Sequence, residues 1–578
     1  MAWPYQFLDL SEADKHVRRQ LLDRYAIYAQ LSVLVPVALV LILRVASWAA
    51  ASRKPTSYSA VPSSPSIKAR RESKTKQHSS SAGWASRARK VQWWLGEDVV
   101  LFDTIAGQRD QWVFGFSYLF WMLLLCVLDT RRDYLHLTKR LGIIAASQYP
   151  AQYLLSLKSL NPFAYLLRSS HEHINRWHRV LARITTTLLS IHALLYLNFF
   201  VQAGIFAKRM LAPVVVLGVV AFLLLNLMYT TALRPIRQYS YRLFFVAHVL
   251  IAFALPPLVF FHAHPARSFM VEAVVVLVAD LVSRKMGTVT AQATVEAVVN
   301  TDLVKIRIAV PKAKAENFRA RPGSHVYLAI PPAARKSLSP KMMFEFLFNP
   351  FTVAHVDDRS GDLTLVARRL SGPMTAALAQ LAADSSSGGA GKVPLCIEGP
   401  YGIARHFPPL SSGSFDRVLL VAGGIGATFI VPLFRSILEE DPRAQVEMVW
   451  AVRGHGETSW VSWVDERTVG DDGLRSVVRP EGLSVFVTGG GMGDITSSQG
   501  TGTGSEEGSQ QQQQQQNQNP ARPDLKSIVD RTFKHGSEER VAVIVCGPEG
   551  MSRELRRYVG VWVMKGRTVW WHNEGFGF

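Results

Sequence analysis

Four histidines, His178 and His192 in one apolar segment and His248 and His262 in another, stand fourteen residues apart within each segment. At ~1.5 Å per residue that interval is ~21 Å along a helix axis and close to four whole turns, so both members of a pair face the same way. Two such helices side by side present two facing His–His pairs at two depths of a bilayer. Buried polar side chains in a membrane are costly and tend to mark function. A pair of haems fits this pattern, each clamped between two imidazoles and spaced for electron hopping. With both axial positions filled, such groups carry electrons rather than bind oxygen directly. His264 is the rival to His262 but breaks the spacing, and His171 and His173 fall at or before the helix start, where an interfacial position is expected.

The 578 residues are enough for several domains. Most of the hydrophobicity lies in the first half, in runs near the ~20 apolar residues that cross a bilayer. The net charge of +20 raises nucleic acid as a partner. Much of it, however, falls between residues 52 and 110, in Arg53, Lys54, Lys68, Arg70, Arg71, Lys74, Lys76, Arg87, Arg89 and Lys90. Between membrane spans, that segment is expected to be a cytoplasmic loop held near anionic lipid, so the partner is membrane lipid and not nucleic acid. Three cysteines, Cys126, Cys396 and Cys546, give no disulfide framework and no cysteine metal cluster. The globular parts are expected in a reducing compartment, and the first apolar run is too long for a cleavable leader.

Seven spans are expected, over residues 26–50, 111–128, 141–157, 174–199, 211–231, 237–262 and 269–282. Seven spans put the termini on opposite sides. The basic loop marks the cytoplasm, so everything after residue 285 is expected inside. The fourth and sixth helices then run the same way, with His178 level with His248 near the cytoplasm and His192 level with His262 near the far side. After Lys285 short β-branched runs broken by Gly and Pro suggest a small antiparallel barrel, residues 285–410. From Arg417 fully apolar strands each lead into a loop and a helical stretch, as in a parallel α/β sheet, residues 411–578. The Gly- and Gln-rich stretch at about 488–524 is expected to be a disordered surface insertion.

At Asn349-Pro350-Phe351-Thr352, taken with the four histidines, the chain resembles the ferric reductase and NADPH oxidase superfamily of transmembrane flavocytochromes. The resemblance runs from about residue 141 to the C-terminus. It implies a multi-span helical haem domain, then a ferredoxin-reductase-like module of an antiparallel FAD barrel and a parallel-sheet NADPH domain. Pro350, Phe351 and Thr352 would line the flavin ring and ribityl chain, and Asn349 stands where the family often has His. Gly372-Pro373-Met374-Thr375 follows Arg368-Arg369. A glycine turn opening a helix exposes free backbone N–H groups beside guanidiniums, a pyrophosphate site that looks like the family's second flavin motif.

Gly399-Pro400-Tyr401-Gly402 looks like the hinge between flavin and nucleotide domains. Gly423-Gly424-Ile425-Gly426-Ala427-Thr428 follows a strand and opens an apolar helix, where only glycines let a dinucleotide approach so closely. Cys546-Gly547-Pro548 resembles the motif that places a thiol beside the nicotinamide. Arg453 ends a strand where an NAD-specific fold puts an acid, and a cation there favours the 2′-phosphate of NADPH. Family members end in an aromatic tail over the flavin, the position of Phe576 or Phe578. Two glycine clusters are decoys: residues 387–392 lack the first glycine and terminal hydroxyl of a P-loop, and residues 489–493 belong to the insertion.

The resemblance implies an oxidoreductase taking electrons from cytosolic NADPH through FAD and two b-type haems to an acceptor across the membrane. A fungal-type metalloreductase acting on ferric or cupric chelates is the expected form, in the plasma membrane or endoplasmic reticulum. A superoxide-generating oxidase reducing dioxygen is the alternative on the same scaffold. A non-enzymatic transporter or receptor with a nucleotide domain is the alternative of another class. The far-side cations Lys208, Arg209 and Arg267 suit either anionic ferric chelates or superoxide.

Overall fold

Prolines and caps decide where the apolar runs of the first half become helices. The first helix begins at Ser11, whose hydroxyl accepts the Asp14 N–H, and runs Glu12–Ser32. It bends by 42° into a second stretch from Val35. The residue before a proline resists helical backbone, and Pro36 sits in the first turn of Val35–Ser52. The run expected as one span over 26–50 is therefore a bent pair that starts earlier. Likewise Pro150 opens Tyr149–Leu154 just after Tyr134–Ser147, a helix of 14 residues that reaches only ~21 Å, short of a ~30 Å hydrocarbon core.

Arg109–Val127, His171–Gln202, Pro213–Ala232 and Tyr241–His262 are each long and apolar enough to cross a membrane, and the bent pair makes a fifth. Among the described residues the count is thus four or five, against the seven expected. Arg267–Gly287, the expected seventh, carries a buried Asp280 whose carboxylate accepts the N–H groups of Ser159 and Leu160 at 2.9 and 2.8 Å. That carboxylate ties the helix to the loop before Pro162.

The computed structural model describes residues 4–52, 79–101, 104–331, 334, 349–370, 372–386, 392–411, 413–461, 481–488, 518–519 and 522–575. The described residues fall into two units, one made of those up to 52 and from Trp94 to Met286, the other of those from Ser79 to Trp93 and from Gly287 onward. The basic segment expected as a cytoplasmic loop contains a helix, Ser79–Leu95, and an antiparallel hairpin of Asp98–Leu101 with Thr104–Gln108. Arg87, Arg89 and Lys90 lie on that helix; the basic residues from Arg53 to Lys76 lie outside the described residues.

In the second unit Val289–Ala297, Leu303–Ile308, His325–Ala329, Asn349–Val356, Leu363–Arg368 and Val393–Tyr401 close an antiparallel barrel. Alternation along the strands sends Ile306, Ile308, Val326, Leu328, Leu363, Leu365, Leu395 and Ile397 inward. The helix Pro373–Ser386 adds Met374, Ala377, Leu378 and Ala382 to the same core. There follows a parallel sheet in which Arg417–Gly423 lies centrally, flanked by Val446–Val452 and Arg540–Cys546. Leu483–Val487 and Thr568–Glu574 lie outside those. Ala427–Glu440 covers one face and Leu525–Phe533 with Glu549–Met564 the other, which is why these strands are apolar throughout. The barrel and sheet form the ferredoxin-reductase-like module expected from the sequence. One part of the insertion is structured: Gln518–Asn519 pairs with Val485 and Phe486 as an edge strand.

Candidate functional sites

In the membrane unit the rings of His178 and His248 lie with centroids 6.1 Å apart, tilted by 59° to one another. His178 Nδ1 donates to the Gln152 carbonyl at 2.9 Å. His192 Nδ1 donates to the Thr138 carbonyl at 2.7 Å and His262 Nδ1 to the Val214 carbonyl at 2.7 Å. A carbonyl only accepts, so in all three the proton sits on Nδ1 and Nε2 presents a lone pair. His248 Nδ1 is buried without such a partner. The Gln152 amide nitrogen stands 3.3 Å from His178 Nε2 and 3.1 Å from the His178 carbonyl.

Two glycines make room for the other pair. A Cβ on Gly142 would lie 2.7 Å from the His192 ring, and one on Gly218 would overlap the His262 ring. Each glycine stands four residues after the carbonyl that its histidine uses, so on both helices the missing side chain opens the way to that carbonyl. Tyr153 serves the His248 helix. Pro256 has no N–H for the Ala252 carbonyl, and the Tyr153 hydroxyl donates to it instead. None of these three residues carries a motif. Lys208 and Arg209 are exposed on the short helix Phe206–Met210, whereas Arg267 folds back to donate to the Phe260 carbonyl.

On the barrel, Asn349, Pro350, Phe351 and Thr352 pair with Leu328, Tyr327, Val326 and His325. Gly372 precedes the helix, and the Thr375 hydroxyl turns back to the Leu370 and Gly372 carbonyls at 3.0 and 3.2 Å. Tyr401 donates to Glu398 at 2.7 Å and packs near His325 and Tyr327. Gly399 and Gly402, at φ +137° and +120°, supply backbone conformations that side chains resist. Arg368 ends its strand in an ion pair with Glu457 of the sheet domain, 2.6 Å, with its guanidinium 3.5 Å from where a Cβ on Gly424 would lie. It therefore sits in the cleft between barrel and glycine turn.

The two glycine motifs of the sheet domain meet. A Cβ on Gly426 would strike the Cys546 carbonyl, and one on Gly423 would lie 2.6 Å from the Pro548 ring. Gly547 lies against Gly423 from the other side. The Gly424 carbonyl accepts from Nε1 of Trp450 at 3.0 Å, a fully buried residue that pins the turn from behind. Thr428 is buried and donates to the Ile425 carbonyl.

Cys546 is fully buried and in register with Glu574, whose carboxylate is 2.8 Å from His572 Nε2. Burial, with the Glu574 carboxylate beside it, pushes the Cys546 thiol well above its usual range, so it is a neutral thiol and a packing wall rather than a nucleophile. Arg453 is exposed, one residue past its strand. The strand end is not free of acid, as the sequence suggested: Glu457 reaches the Arg453 N–H at 3.4 Å, but its other oxygen is turned onto Arg368. Phe576 and Phe578 lie outside the described residues.

Residues 141–259 match the family model described as a ferric reductase like transmembrane component. Residues 288–405 match an FAD-binding domain and 415–560 a ferric reductase NAD binding domain. The chain belongs to the ferric reductase family. It is 25% identical over 345 residues to ferric reductase transmembrane component 1 of Schizosaccharomyces pombe, covering 54% of this chain and 59% of that protein. It is 22% identical over 473 residues to ferric/cupric reductase transmembrane component 2 of the same yeast, covering 75% and 80%. To a Meyerozyma guilliermondii protein named Probable metalloreductase AIM14 it is 26% identical over 344 residues, 58% of this chain and 64% of that one. The aligned part thus spans less than two thirds of the first and third of these relatives.

Proposed function

We propose that the chain moves electrons from cytosolic NADPH through FAD and two b-type haems to ferric or cupric chelates on the far side of a membrane. The observation that carries this reading is the presentation of Nε2 lone pairs by His178, His192 and His262 in a chain that also holds a flavin-type barrel and a glycine turn packed on Cys546. Among the described residues no group of three or more His, Cys, Asp or Glu is placed around a common point. Two histidine pairs on two helices suit a metal held chiefly by a macrocycle. His178 and His248, with ring centroids 6.1 Å apart, would hold one such group, and His192 with His262 the other. The relatives' names, ferric and ferric/cupric reductase, support the choice of acceptor.

When bound, FAD supplies the conversion of a hydride into single electrons, and haem iron supplies one-electron carriage. The chain's own residues do the rest. Gly423, Gly424 and Gly426 let the dinucleotide lie against the turn, and Arg453 offers its cation to the 2′-phosphate. Cys546, held neutral, backs the nicotinamide, while Pro350, Phe351 and Thr352 line the flavin ring and Arg368, Gly372 and Thr375 its pyrophosphate. His178 and His248 hold the inner group, His192 and His262 the outer. Held by two histidines each, such groups would supply electron carriage, and the acceptor would be reduced at the protein's far surface.

The test supplies NADPH to oriented membranes and follows ferric-chelate reduction with and without superoxide dismutase, in air and without oxygen. Full-rate anaerobic reduction, insensitive to the dismutase, is expected. Reduction that vanishes without oxygen would make dioxygen the true acceptor.

A further inference from the structure

The segment before the second membrane-crossing helix does not belong wholly with the membrane unit. From Ser79 to Trp93 the chain groups with the reductase unit, and it rejoins the membrane unit at Trp94. Trp93 is 8% exposed, in a core with Val545, Leu555, Val559 and Val563. Its seat is shaped for it. A Cβ on Gly560 would lie 2.8 Å from the indole nitrogen, so the glycine in the helix Glu549–Met564 is the space the ring occupies. The Arg556 guanidinium lies 4.3 Å from the Trp93 ring centre and 5.7 Å from that of Trp571, and donates to the Trp93 carbonyl at 3.0 Å. Trp93 meets Trp571 edge to face at 5.7 Å.

Trp571 belongs to Thr568–Glu574, the last strand of the sheet, which among the described residues is hydrogen-bonded along one side only, to Arg540–Cys546. An edge strand depends on packing against its faces. On one face Phe407 packs on Trp570 and His572, at 4.9 and 4.7 Å. On the other stands Trp93. Three residues beyond Trp571 comes Glu574, in register with Cys546.

We propose that the helix Ser79–Leu95 is a built-in ligand of the nucleotide-binding domain, anchored by Trp93. Its seating holds the last strand, and with it Glu574 beside Cys546, in the arrangement that hydride delivery from nicotinamide to flavin requires. The second statement rests on the oxidoreductase reading above; the first does not.

The full-length protein in lipid nanodiscs tests both, as the unmutated chain and as Trp93→Ala, Trp93→Phe and Gly560→Leu. Amide hydrogen exchange over 568–574 is expected to speed up about tenfold in Trp93→Ala and Gly560→Leu, with 446–452 unchanged and Trp93→Phe close to the unmutated rate. In stopped flow, the limiting rate of FAD bleaching by NADPH should fall several-fold in the same two variants and largely recover in Trp93→Phe. Unchanged exchange over 568–574 in both disruptive variants overturns the anchor. Faster exchange with unaltered flavin reduction overturns the control of hydride delivery. Failure of the unmutated protein to bleach its flavin with NADPH would sink the oxidoreductase reading instead, and the exchange comparison would still judge the anchor.

Discussion

His192 and His262 reach to carbonyls of other helices, Thr138 and Val214, and lie against Gly142 and Gly218. In the sheet domain Gly423 and Gly426 lie against Gly547, Pro548 and the Cys546 carbonyl. Both regions use glycine to permit a close approach, but what approaches differs. In the membrane unit it is the ring of a side chain, which can rotate or withdraw. At Gly426 in the sheet domain it is backbone, which cannot move without taking its strand with it. A side chain added at the first kind of glycine should therefore displace one ligand, whereas one added at the second should dismantle a site.

Gly426→Val should be the most damaging change. Overpacking a close contact costs ~1–3 kcal/mol or more, and here the atom struck is a carbonyl. NADPH-driven flavin reduction is expected to fall roughly a hundredfold or more, with haem content and spectrum unaltered. Near-normal flavin reduction would erase the contrast between the two regions.

Gly142→Val and Gly218→Val should each mimic loss of a ligand. Either one is expected to remove only the group held by His192 and His262, about half the bound haem, as His192→Ala and His262→Ala should. His178→Ala and His248→Ala should remove the other half and leave a different spectrum. Retention of both groups in Gly218→Val would mean that the His262 ring has another place to lie, or that His264 takes its role.

Tyr153→Phe should act more mildly, and on the inner pair alone. It strips the Ala252 carbonyl of the donor that replaces the missing Pro256 N–H, and a buried acceptor left unsatisfied costs ~1–3 kcal/mol. A lower thermal midpoint with weaker retention of the inner group is expected. Equal loss from both sites would show that Tyr153 supports the bundle at large.

How much of this was legible beforehand follows the same divide. The glycine turn at 423–426 and the Cys546 turn are local signals, and their flanking apolar strands announce a parallel sheet. The histidine spacing is local too. What the histidines touch is not: Thr138 is 54 residues from His192, and Val214 is 48 from His262. Gly142 and Gly218 look like any helical glycine until the partner helix is in place. Trp450, buried behind the glycine turn, looks like a core residue. The expected and observed helices part where Pro150 splits the run at 141–157 and where Asp280 sits within the run at 269–282. The Ser79–Leu95 helix was missed because a basic, Ser-rich segment hides a Trp that finds its seat more than 450 residues away, at Gly560.

Arg453 offers the gentlest test, because it concerns binding remote from the reacting atoms. Its exposed cation follows the strand end, and the acid nearest to it in sequence, Glu457, is held by Arg368 at 2.6 Å. Glu457 is therefore turned away from Arg453, and in the proposed reading a 2′-phosphate would meet the Arg453 guanidinium. Arg453→Asp removes a charge-assisted contact worth about 1.5–3 kcal/mol and adds repulsion. The kcat/KM for NADPH should drop on the order of ten- to a hundredfold, through KM, with kcat kept because the hydride and flavin are untouched. NADH should change little. Equal kcat/KM for the two nucleotides in the unmutated protein would remove Arg453 from nucleotide choice. A fall in kcat instead would place it nearer the chemistry, in the region where backbone contacts leave no freedom to adjust.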